Sequence, residues 1–84
     1  MYLMYNGHKI EVRLYFFGKE KVFYDGEEVS NETSLLSTKH KFQVEEDGEK
    51  IDYEISVVKK LRTLAIINPI SYTIKRNDEI ILSI

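Results

Sequence analysis

Four tight-turn signals constrain the fold of this chain more than any other feature. They are the residue pairs Asn6-Gly7, Asp25-Gly26, Asp47-Gly48 and Asn77-Asp78. Asn, Asp and Gly tolerate the positive φ angles that a two-residue β-hairpin turn needs at both central positions. Each pair is followed by a stretch rich in β-branched or aromatic residues, which is the composition of strands. The sequence therefore predicts a run of antiparallel hairpins.

Alternation of apolar and polar residues predicts the strands between these turns. The first long strand covers residues 9–17, and its inner face carries Ile10, Val12, Leu14 and Phe16. The clearest alternation lies at residues 50–57, where the inner face carries Ile51, Tyr53, Ile55 and Val57. A period of two places successive side chains on opposite faces of a strand. Both segments are therefore predicted to be half-buried strands.

Shorter segments complete the predicted architecture. Further strands are expected at residues 21–24, 27–30, 40–45, 64–67, 70–75 and 79–84, with a polar loop at residues 31–33. About eight short strands joined by turns are typical of an all-β protein. We expect a small antiparallel β-sandwich or a partly closed barrel, with residues 1–84 forming a single domain.

Composition and charge restrict the class of protein. The 84 residues include no cysteine, which excludes disulfides and thiolate zinc sites. The net charge is −2, and both signs are interspersed, so no nucleic-acid-binding face is expected. Residues 1–5 lack the basic and long apolar regions of a signal peptide, and no apolar run approaches the ~20 residues of a membrane span. We expect a cytoplasmic protein that binds neither nucleic acid nor membranes.

Metal and cofactor sites have no convincing candidate. Histidine is the first residue type to consider, because it titrates near neutrality and binds metals. His8 follows a turn and His40 lies between Lys39 and Lys41. Neither has a second ligand at metal-binding spacing, so both are predicted to be surface residues. The acidic stretch at residues 45–49 lacks the ligand spacing of a calcium loop and is predicted to be solvated. No metal or cofactor is expected.

The sequence also contains no recognisable arrangement of catalytic residues. Asp52 and Glu54 share the polar face of a strand with Lys50, which is typical of a solvated ion-pair face. Ser34 and Ser37 are predicted to be strand-edge hydroxyls, because the chain lacks a Gly-x-Ser-x-Gly elbow and a phosphate loop. We predict no catalytic, cofactor-binding or metal-binding residues and no enzyme activity.

One strand face mixes a cation with an aromatic ring. Arg13 and Tyr15 share that face, as in proteins that bind single-stranded nucleic acid, but Glu11 lies on it as well. Charge pairs between strands are therefore the prediction for this face.

Three segments are apolar on both faces, namely residues 2–5, 64–67 and 80–84. In a small antiparallel protein one face of a strand normally meets water, so the second face of these segments must be covered. Two interpretations follow. The segments are central or end-sealing strands of a closed barrel, or some of them expose an apolar patch for a protein partner. A second copy of the chain is the simplest such partner, through stacked sheets or paired edges.

The order of the segments resembles the β-domain of the Fas apoptotic inhibitory molecule family. The resemblance rests on an opening strand, residues 8–12 (HKIEV), and a hairpin at residues 18–28 (GKEKVFYDGEE). A segment at residues 41–44 (KFQV) then leads to a second hairpin, and the last pair begins with residues 70–74 (ISYTI). The resemblance implies a compact antiparallel β-sandwich that acts as a protein-interaction module without catalysis. It assigns no binding residue.

We therefore expect a non-catalytic protein-interaction or structural β-domain that self-associates through its apolar strands. The main alternative is a small-ligand binder, whose pocket between the sheets is lined by Phe16, Phe42, Tyr53 or Tyr72. A third interpretation is an accessory domain of a larger assembly. The sequence predicts no specific partner for any of these functions.

Overall fold

The computed structural model describes residues 1–59 and 70–84. Within these residues the elements are β1 (Tyr2–Tyr5), β2 (His8–Leu14), a 3₁₀ turn (Phe16–Gly18), β3 (Lys19–Tyr24), β4 (Glu27–Thr33), β5 (Ser37–Glu46), β6 (Glu49–Lys59), β7 (Ile70–Arg76) and β8 (Glu79–Ser83). The all-β prediction is confirmed. The strands form two four-stranded antiparallel sheets, which is a sandwich and not a closed barrel.

All four predicted hairpin turns are present. The non-glycine residues at the turns have the positive φ that the turn type demands: Asn6, Asp25, Asp47, Asn77 and Asp78. Strand order is β1-β2-β3-β4 in the first sheet and β5-β6-β7-β8 in the second. Every strand therefore pairs with a sequence neighbour, as a chain of tight hairpins requires. Two β-bulges interrupt the ladders, with Val29 as the extra residue of β4 and Ile81 as that of β8.

The core lies between the two sheets. Its buried apolar side chains come from the inner faces of β2, β3, β6 and β7: Ile10, Val12, Val22, Tyr24, Ile51, Tyr53, Ile55, Val57 and Ile74. In each of these strands every second side chain points into the core. The period-two pattern therefore identified the inner face of β6 correctly, and that of β2 at Ile10 and Val12, whereas Leu14, also predicted to point inward, is 38% exposed.

The sandwich is elongated, with principal dimensions of 48 × 21 × 18 Å, and its two ends differ. The four two-residue turns lie together at one end, here called the hairpin end, because Tyr24 at the end of β3 contacts Glu46 at the end of β5. The opposite end, here called the loop end, carries the Phe16–Gly18 turn and residues 34–36. β4 passes to β5 at the loop end, and these two strands lie against each other at one side of the sandwich.

Several strand boundaries differ from the prediction, among them the C-terminal ends of β2 and β4. Phe16 was predicted to lie on the inner face of the first long strand, and this is wrong. β2 ends at Leu14, and Phe16 lies in the 3₁₀ turn with 90% of its surface exposed. Residues 31–33, predicted to be a loop, belong to β4, because they pair with the beginning of β3.

The predicted strand at residues 64–67 lies outside the described residues. In residues 1–59 and 70–84, no helix has the length and hydrophobicity of a bilayer span.

Candidate functional site

A buried carboxylate on β3, Glu20, organises the first polar cluster. Its side chain is fully buried. Glu20 Oε1 accepts hydrogen bonds from Thr38 Oγ1 and from His40 Nε2, the latter at 2.8 Å, and Oε2 forms an ion pair with Lys59 Nζ. These residues together with Ser30 are called the Glu20 cluster below. The cluster joins β3 and β4 of one sheet to β5 and β6 of the other.

The contacts of Glu20 keep it ionised. Burial by itself raises the pKa of a carboxyl group. The hydrogen bonds from Lys59, Thr38 and His40 outweigh burial, so the pKa of Glu20 lies below its ordinary value. The Lys59 ammonium also donates to the carbonyl oxygen of Ser34 at 2.8 Å. A charged contact inside the sandwich therefore holds the backbone of the loop end.

The Glu20 cluster contains a hydroxyl, an imidazole and a carboxylate in sequence. Ser30 Oγ lies 2.7 Å from His40 Nδ1, and His40 Nε2 faces Glu20. A carboxylate only accepts hydrogen bonds, so we assign the proton of His40 to Nε2, which leaves Nδ1 to accept from Ser30. Hydrolase triads use the same order of groups. The ring of His40 is wholly buried in this arrangement, and the two hydrogen bonds satisfy its buried ring nitrogens.

A second buried carboxylate, Glu46, lies near the hairpin end. Its Oε2 accepts hydrogen bonds from the hydroxyls of Tyr24 at 2.5 Å and Tyr53 at 2.6 Å. Its Oε1 accepts one from Arg76 Nη2 at 2.7 Å, and the ring of Tyr5 lies 5.6 Å from the Arg76 guanidinium. Glu46, Tyr24, Tyr53 and Arg76 are called the Glu46 cluster below.

Charge and burial fix the protonation of this second cluster. Burial favours a raised pKa for Glu46, but hydrogen bonds from Tyr24, Tyr53 and Arg76 outweigh it and lower the pKa. Burial first, and then the hydrogen bond to Glu46, raise the pKa of Tyr53 to about 12. The pKa of Tyr24 is raised for the same reasons. Both phenols are therefore neutral donors to an ionised carboxylate at neutral pH.

The two histidines occupy different environments. The prediction that His40 is a surface residue is wrong, as its exposed fraction is 0%. His8 is half-buried, and its Nδ1 lies 2.7 Å from Asp25 Oδ2. The ring of His8 also stacks on Tyr24 at 5.3 Å between centroids. The hydrogen bond to Asp25 raises the pKa of His8. Within the described residues, no three His, Asp or Glu side chains are grouped to hold a metal ion.

Sequence reasoning missed Glu20 and the burial of Glu46. Residues 45–49 were predicted to be solvated, but Glu46 is only 5% exposed. The signal was the parity of the strand, since His40, Phe42, Val44 and Glu46 alternate on one face of β5. Glu20 likewise shares the parity of the buried Val22 and Tyr24 on β3.

The predicted inter-sheet pocket does not form from its four aromatic residues. Phe42 and Tyr53 stack at 5.3 Å and fill core space beside Tyr24. Phe16 lies in the exposed turn, and Tyr72 is half-buried on β7. The four side chains therefore do not all meet at one place between the sheets.

A depression of about 400 Å³ lies on the outer face of the second sheet. Its lining residues are Lys41, Phe42, Gln43, Asp52, Tyr53, Glu54, Lys75 and Asp78. Glu54 lies between Lys41 and Lys75, with closest N···O distances of 3.7 and 3.9 Å. Gln43 Nε2 donates to Asp52 Oδ1 at 2.9 Å. The depression is therefore lined chiefly by charged and amide groups that already pair with one another.

The outer face of the first sheet carries cations over aromatic rings. The Arg13 guanidinium lies 4.1 Å from the centre of the Phe23 ring and bonds Glu11 at 3.1 Å. Lys21 Nζ lies 5.7 Å from the centre of the Tyr15 ring and 3.2 Å from Glu28 Oε1. Of the charge pairs predicted between strands, Lys21–Glu28 joins β3 to β4, whereas Arg13 pairs with Glu11 within β2.

The two sides of the sandwich differ in their edge strands. β4 and β5 lie together on one side, so the strand orders leave β1 and β8 as the edges of the other side. The exposed apolar side chains of those edges are Tyr2 (65%), Met4 (56%), Ile80 (57%) and Ile84 (63%). These four residues define the apolar side. They belong to two of the segments that the sequence identified as apolar on both faces.

No protein-family model, curated protein or solved structure matches this chain. The resemblance to the Fas apoptotic inhibitory molecule family therefore stays a prediction.

Proposed function

We propose that this protein is a non-catalytic protein-interaction domain that self-associates through the apolar side, by pairing of its β1 or β8 edges. The observation that supports the proposal is the chemistry of these edges. β1 contains no charged residue, glycine or proline, and β8 contains a single charged residue, Glu79, at its first position. Charged residues, proline and bulges are the features with which proteins protect edge strands from pairing, and beyond Glu79 only the bulge at Ile81 is present on these two strands.

The opposite side provides an internal control. β4 carries Glu27, Glu28 and Glu32, and β5 carries Lys39, Lys41 and Glu45, all with exposed side chains. These charges disfavour the approach of a second sheet edge. The same fold therefore has one protected side and one unprotected side.

The backbone of β8 supports edge pairing as well. Tyr72 and Ile84 exchange both backbone hydrogen bonds, 2.9 Å each. In an antiparallel ladder the hydrogen-bonded pairs alternate with pairs whose N–H and C=O groups point away. The N–H and C=O of Ser83 therefore face the free side of β8, where a strand of another molecule can accept and donate.

The proposal is tested by light scattering coupled to size exclusion over a wide concentration range. The wild-type chain is expected to be a dimer or larger. Ile80→Lys places a charge on the edge strand without removing core contacts and is expected to weaken association by at least ~10-fold. Phe16→Lys is the matched control, since Phe16 is apolar, more exposed than Ile80, and lies at the loop end, whereas Ile80 lies beside the Asn77-Asp78 turn at the hairpin end. A monomer at every concentration would contradict the proposal.

A second pair of variants separates core from interface on β8. Ile81 is half-buried and packs against the core, so Ile81→Lys is expected to reduce the melting temperature. Ile80→Lys is expected to lower it much less, only by the stabilisation that association of the folded chains contributes. Loss of folding in both variants would mean that β8 seals the core and does not form an interface.

The non-catalytic part of the proposal is tested separately. Ser30 is the hydroxyl with the arrangement closest to that of a nucleophile, but the imidazole beside it is buried. A fluorophosphonate probe is therefore expected to leave Ser30 unlabelled. Labelling that disappears in Ser30→Ala and in His40→Gln would instead identify a hydrolase.

A second candidate function is small-ligand binding at the depression on the second sheet. The alternating charges of Lys41, Glu54 and Lys75 suit a polar or zwitterionic molecule rather than the apolar ligand expected from an aromatic pocket. Thermal-shift screening tests this candidate, because a ligand that binds only the folded state raises the melting temperature. Glu54→Gln should abolish such a shift. The cytoplasm remains the proposed compartment, which fractionation of the source cells would check.

A further inference from the structure

The loop end carries an exposed apolar surface that neither the core nor the apolar side explains. Phe16 and Phe17 are 90% and 91% exposed, and Leu35 and Leu36 are 62% and 59% exposed. The two loops are in contact, since Ser34 N donates to the carbonyl oxygen of Gly18 at 2.9 Å and Leu35 lies against Gly18. Phe16, Phe17, Leu35 and Leu36 therefore form one surface, here called the tip.

The tip is held in its projecting conformation at a cost in backbone strain. Phe17 has φ 61° and ψ 32°, a left-handed conformation that is unfavourable for a bulky residue. Gly18 follows with φ 76°, and a Cβ atom there would lie 2.5 Å from the carbonyl oxygen of Ser34. Only glycine fits this position. Strain of this kind persists where the surrounding structure fixes it, and it is concentrated at functional sites.

Charge is distributed unequally along the sandwich. Exposed cations lie near the tip, on the strands that lead to and from it: Arg13, Lys19 and Lys39. The exposed Glu32 of β4 lies there as well, and Arg13 is paired with Glu11, so among the described residues of this end exposed cations outnumber exposed acids. The residues around the four turns are chiefly acidic, and they include Asp25, Glu27, Glu45, Asp47, Glu49, Asp78 and Glu79. The loop end is therefore basic and apolar, and the hairpin end is acidic.

In contrast to the expectation from the sequence that the protein binds no membrane, we propose that the tip docks on an anionic lipid membrane, with Phe16 and Phe17 inserted at the boundary between headgroups and acyl chains. Membrane-surface binding depends on buried apolar area combined with attraction between cations and acidic lipids. The tip supplies the apolar area, and Arg13, Lys19 and Lys39 are placed to meet the headgroups.

The shape and charge of the tip favour a bilayer over a protein groove. The two phenylalanine side chains project from a turn and are almost fully exposed, which suits insertion into a soft interface. The acidic hairpin end is repelled by the same lipids, so the long axis is oriented away from the membrane. The docking surface is also separate from Met4 and Ile80, the two residues of the apolar side that lie furthest from the loop end along β1 and β8.

The first test is co-sedimentation with vesicles of phosphatidylcholine and phosphatidylserine, and with vesicles of phosphatidylcholine alone. The full chain is expected to bind the mixed vesicles and to release as salt is raised. Phe16→Ala/Phe17→Ala is expected to reduce the partition coefficient by roughly 10-fold or more, and Lys19→Glu/Lys39→Glu by a similar factor. Lys50→Glu changes the charge of an exposed residue at the hairpin end by the same amount per site, and this matched control should bind like the wild type.

A second test reports where the chain touches the lipid. The sequence contains no tryptophan, so Phe16→Trp introduces a single fluorophore at the tip. Its emission is expected to shift to shorter wavelength when mixed vesicles are added, whereas Ile80→Trp, near the hairpin end, should show no shift. A folded Phe16→Trp protein that shows neither sedimentation nor a shift would overturn the proposal.

Two other results would also overturn the proposal. Equal binding to both vesicle types would exclude recognition of anionic lipid. Binding that survives Phe16→Ala/Phe17→Ala would exclude the tip. Failure of membrane binding leaves the oligomerisation proposal intact, because the two rely on different residues and different readouts.

Discussion

The hairpin end and the loop end use the left-handed backbone conformation in opposite ways. At the hairpin end, positive φ angles fall on Asn and Asp residues, with glycine beside them in three of the turns. These residue types adopt the conformation at little cost. At the loop end the positive φ falls on Phe17, and its ring is exposed to solvent. At the hairpin end the backbone conformation therefore matches the preferences of the residues that adopt it. At the loop end Phe17 adopts a conformation that is unfavourable for its residue type.

The two ends also differ in how far the partners of their buried carboxylates are shielded from water. Glu46, near the hairpin end, is held by two neutral phenols and by Arg76, whose side chain remains 25% exposed. Glu20, nearer the loop end, faces Lys59, whose side chain is only 14% exposed, and it is itself fully buried. The Glu20 cluster thus isolates its charges from water more completely. Its partner Lys59 also holds the loop that carries Leu35.

Acidification is expected to cause the largest loss of stability, because it affects both clusters together. The folded pKa values of Glu20 and Glu46 lie below the ordinary value of 4.5. A group with a lowered folded pKa stabilises the native state fully above the unfolded pKa, and this stabilisation is lost as pH falls through the folded pKa. We expect a melting temperature that falls steeply below about pH 5 as the two carboxylates are protonated, and that falls slightly above pH 6.5, because the raised folded pKa of His8 stabilises the native state only while His8 is protonated. Calorimetry at a series of pH values measures this.

The control for the acid effect is the double variant Glu20→Gln/Glu46→Gln. It should be less stable at neutral pH and should show a much weaker dependence of melting temperature on acid. A wild-type melting temperature that stays constant down to about pH 3 would contradict the lowered pKa values.

Single substitutions distinguish the two carboxylates. Glu20→Gln turns an amide towards the buried Lys59 ammonium and is expected to cost roughly 3–5 kcal/mol of unfolding free energy. Glu46→Gln is expected to cost less, roughly 2 kcal/mol, because Arg76 can turn towards water. Urea unfolding of the two variants measures the difference. Equal losses would mean that the two ends bury charge equally well.

Strand positions and inner faces followed from the sequence because they depend on local rules. The turn residues fixed the hairpins, and a period of two fixed which side chains of β2 and β6 point inward. The prediction failed at Phe16 because alternation continues in the sequence beyond Leu14, where the backbone already leaves the strand. Nothing in the residue order reports that Phe17 adopts a positive φ.

The polar clusters were harder to predict because their partners are distant in the sequence. Glu20 meets Thr38 and Lys59 only after the two sheets have packed. Ionisable side chains are exposed in most proteins. Glu46 was therefore predicted to be solvated although it lies on the buried face of its strand. The parity of His40 and Glu46 with Phe42 and Val44 was the one local signal of their burial. The candidate functional surfaces, the apolar side and the tip, were visible only in part, through the two-faced apolar segments.

Glycine substitutions compare the two ends directly. Gly18→Ala adds a Cβ 2.5 Å from the Ser34 carbonyl oxygen at a positive φ, so we expect a loss of roughly 3 kcal/mol. Gly26→Ala at the hairpin end has a positive φ but no atom within 4 Å of the added Cβ, so the loss should be about 1 kcal/mol. Thermal or urea unfolding checks both values. Equal losses would mean that the loops at the tip are not held against each other.

The smallest effect is the most informative about why the ends differ. Phe17→Gly removes the unfavourable left-handed phenylalanine at a position where the side chain contributes nothing to the core. Part of this gain is offset by the greater freedom of glycine in the unfolded chain, so we expect a net stabilisation of about 0.5–1 kcal/mol. Asn6→Gly at the hairpin end should change stability very little, because Asn already tolerates this conformation.

The unfolding free energy and the vesicle binding of Phe17→Gly should be measured on the same protein. A Phe17→Gly protein that is more stable but binds membranes more weakly would mean that the loop end retains strain for the sake of its exposed ring. Destabilisation by Phe17→Gly would mean instead that the ring makes folding contacts, and the contrast between the two ends would disappear. Asn6→Gly also places a glycine at a position of positive φ, but at the hairpin end. It therefore controls for the general effect of adding a glycine to the chain.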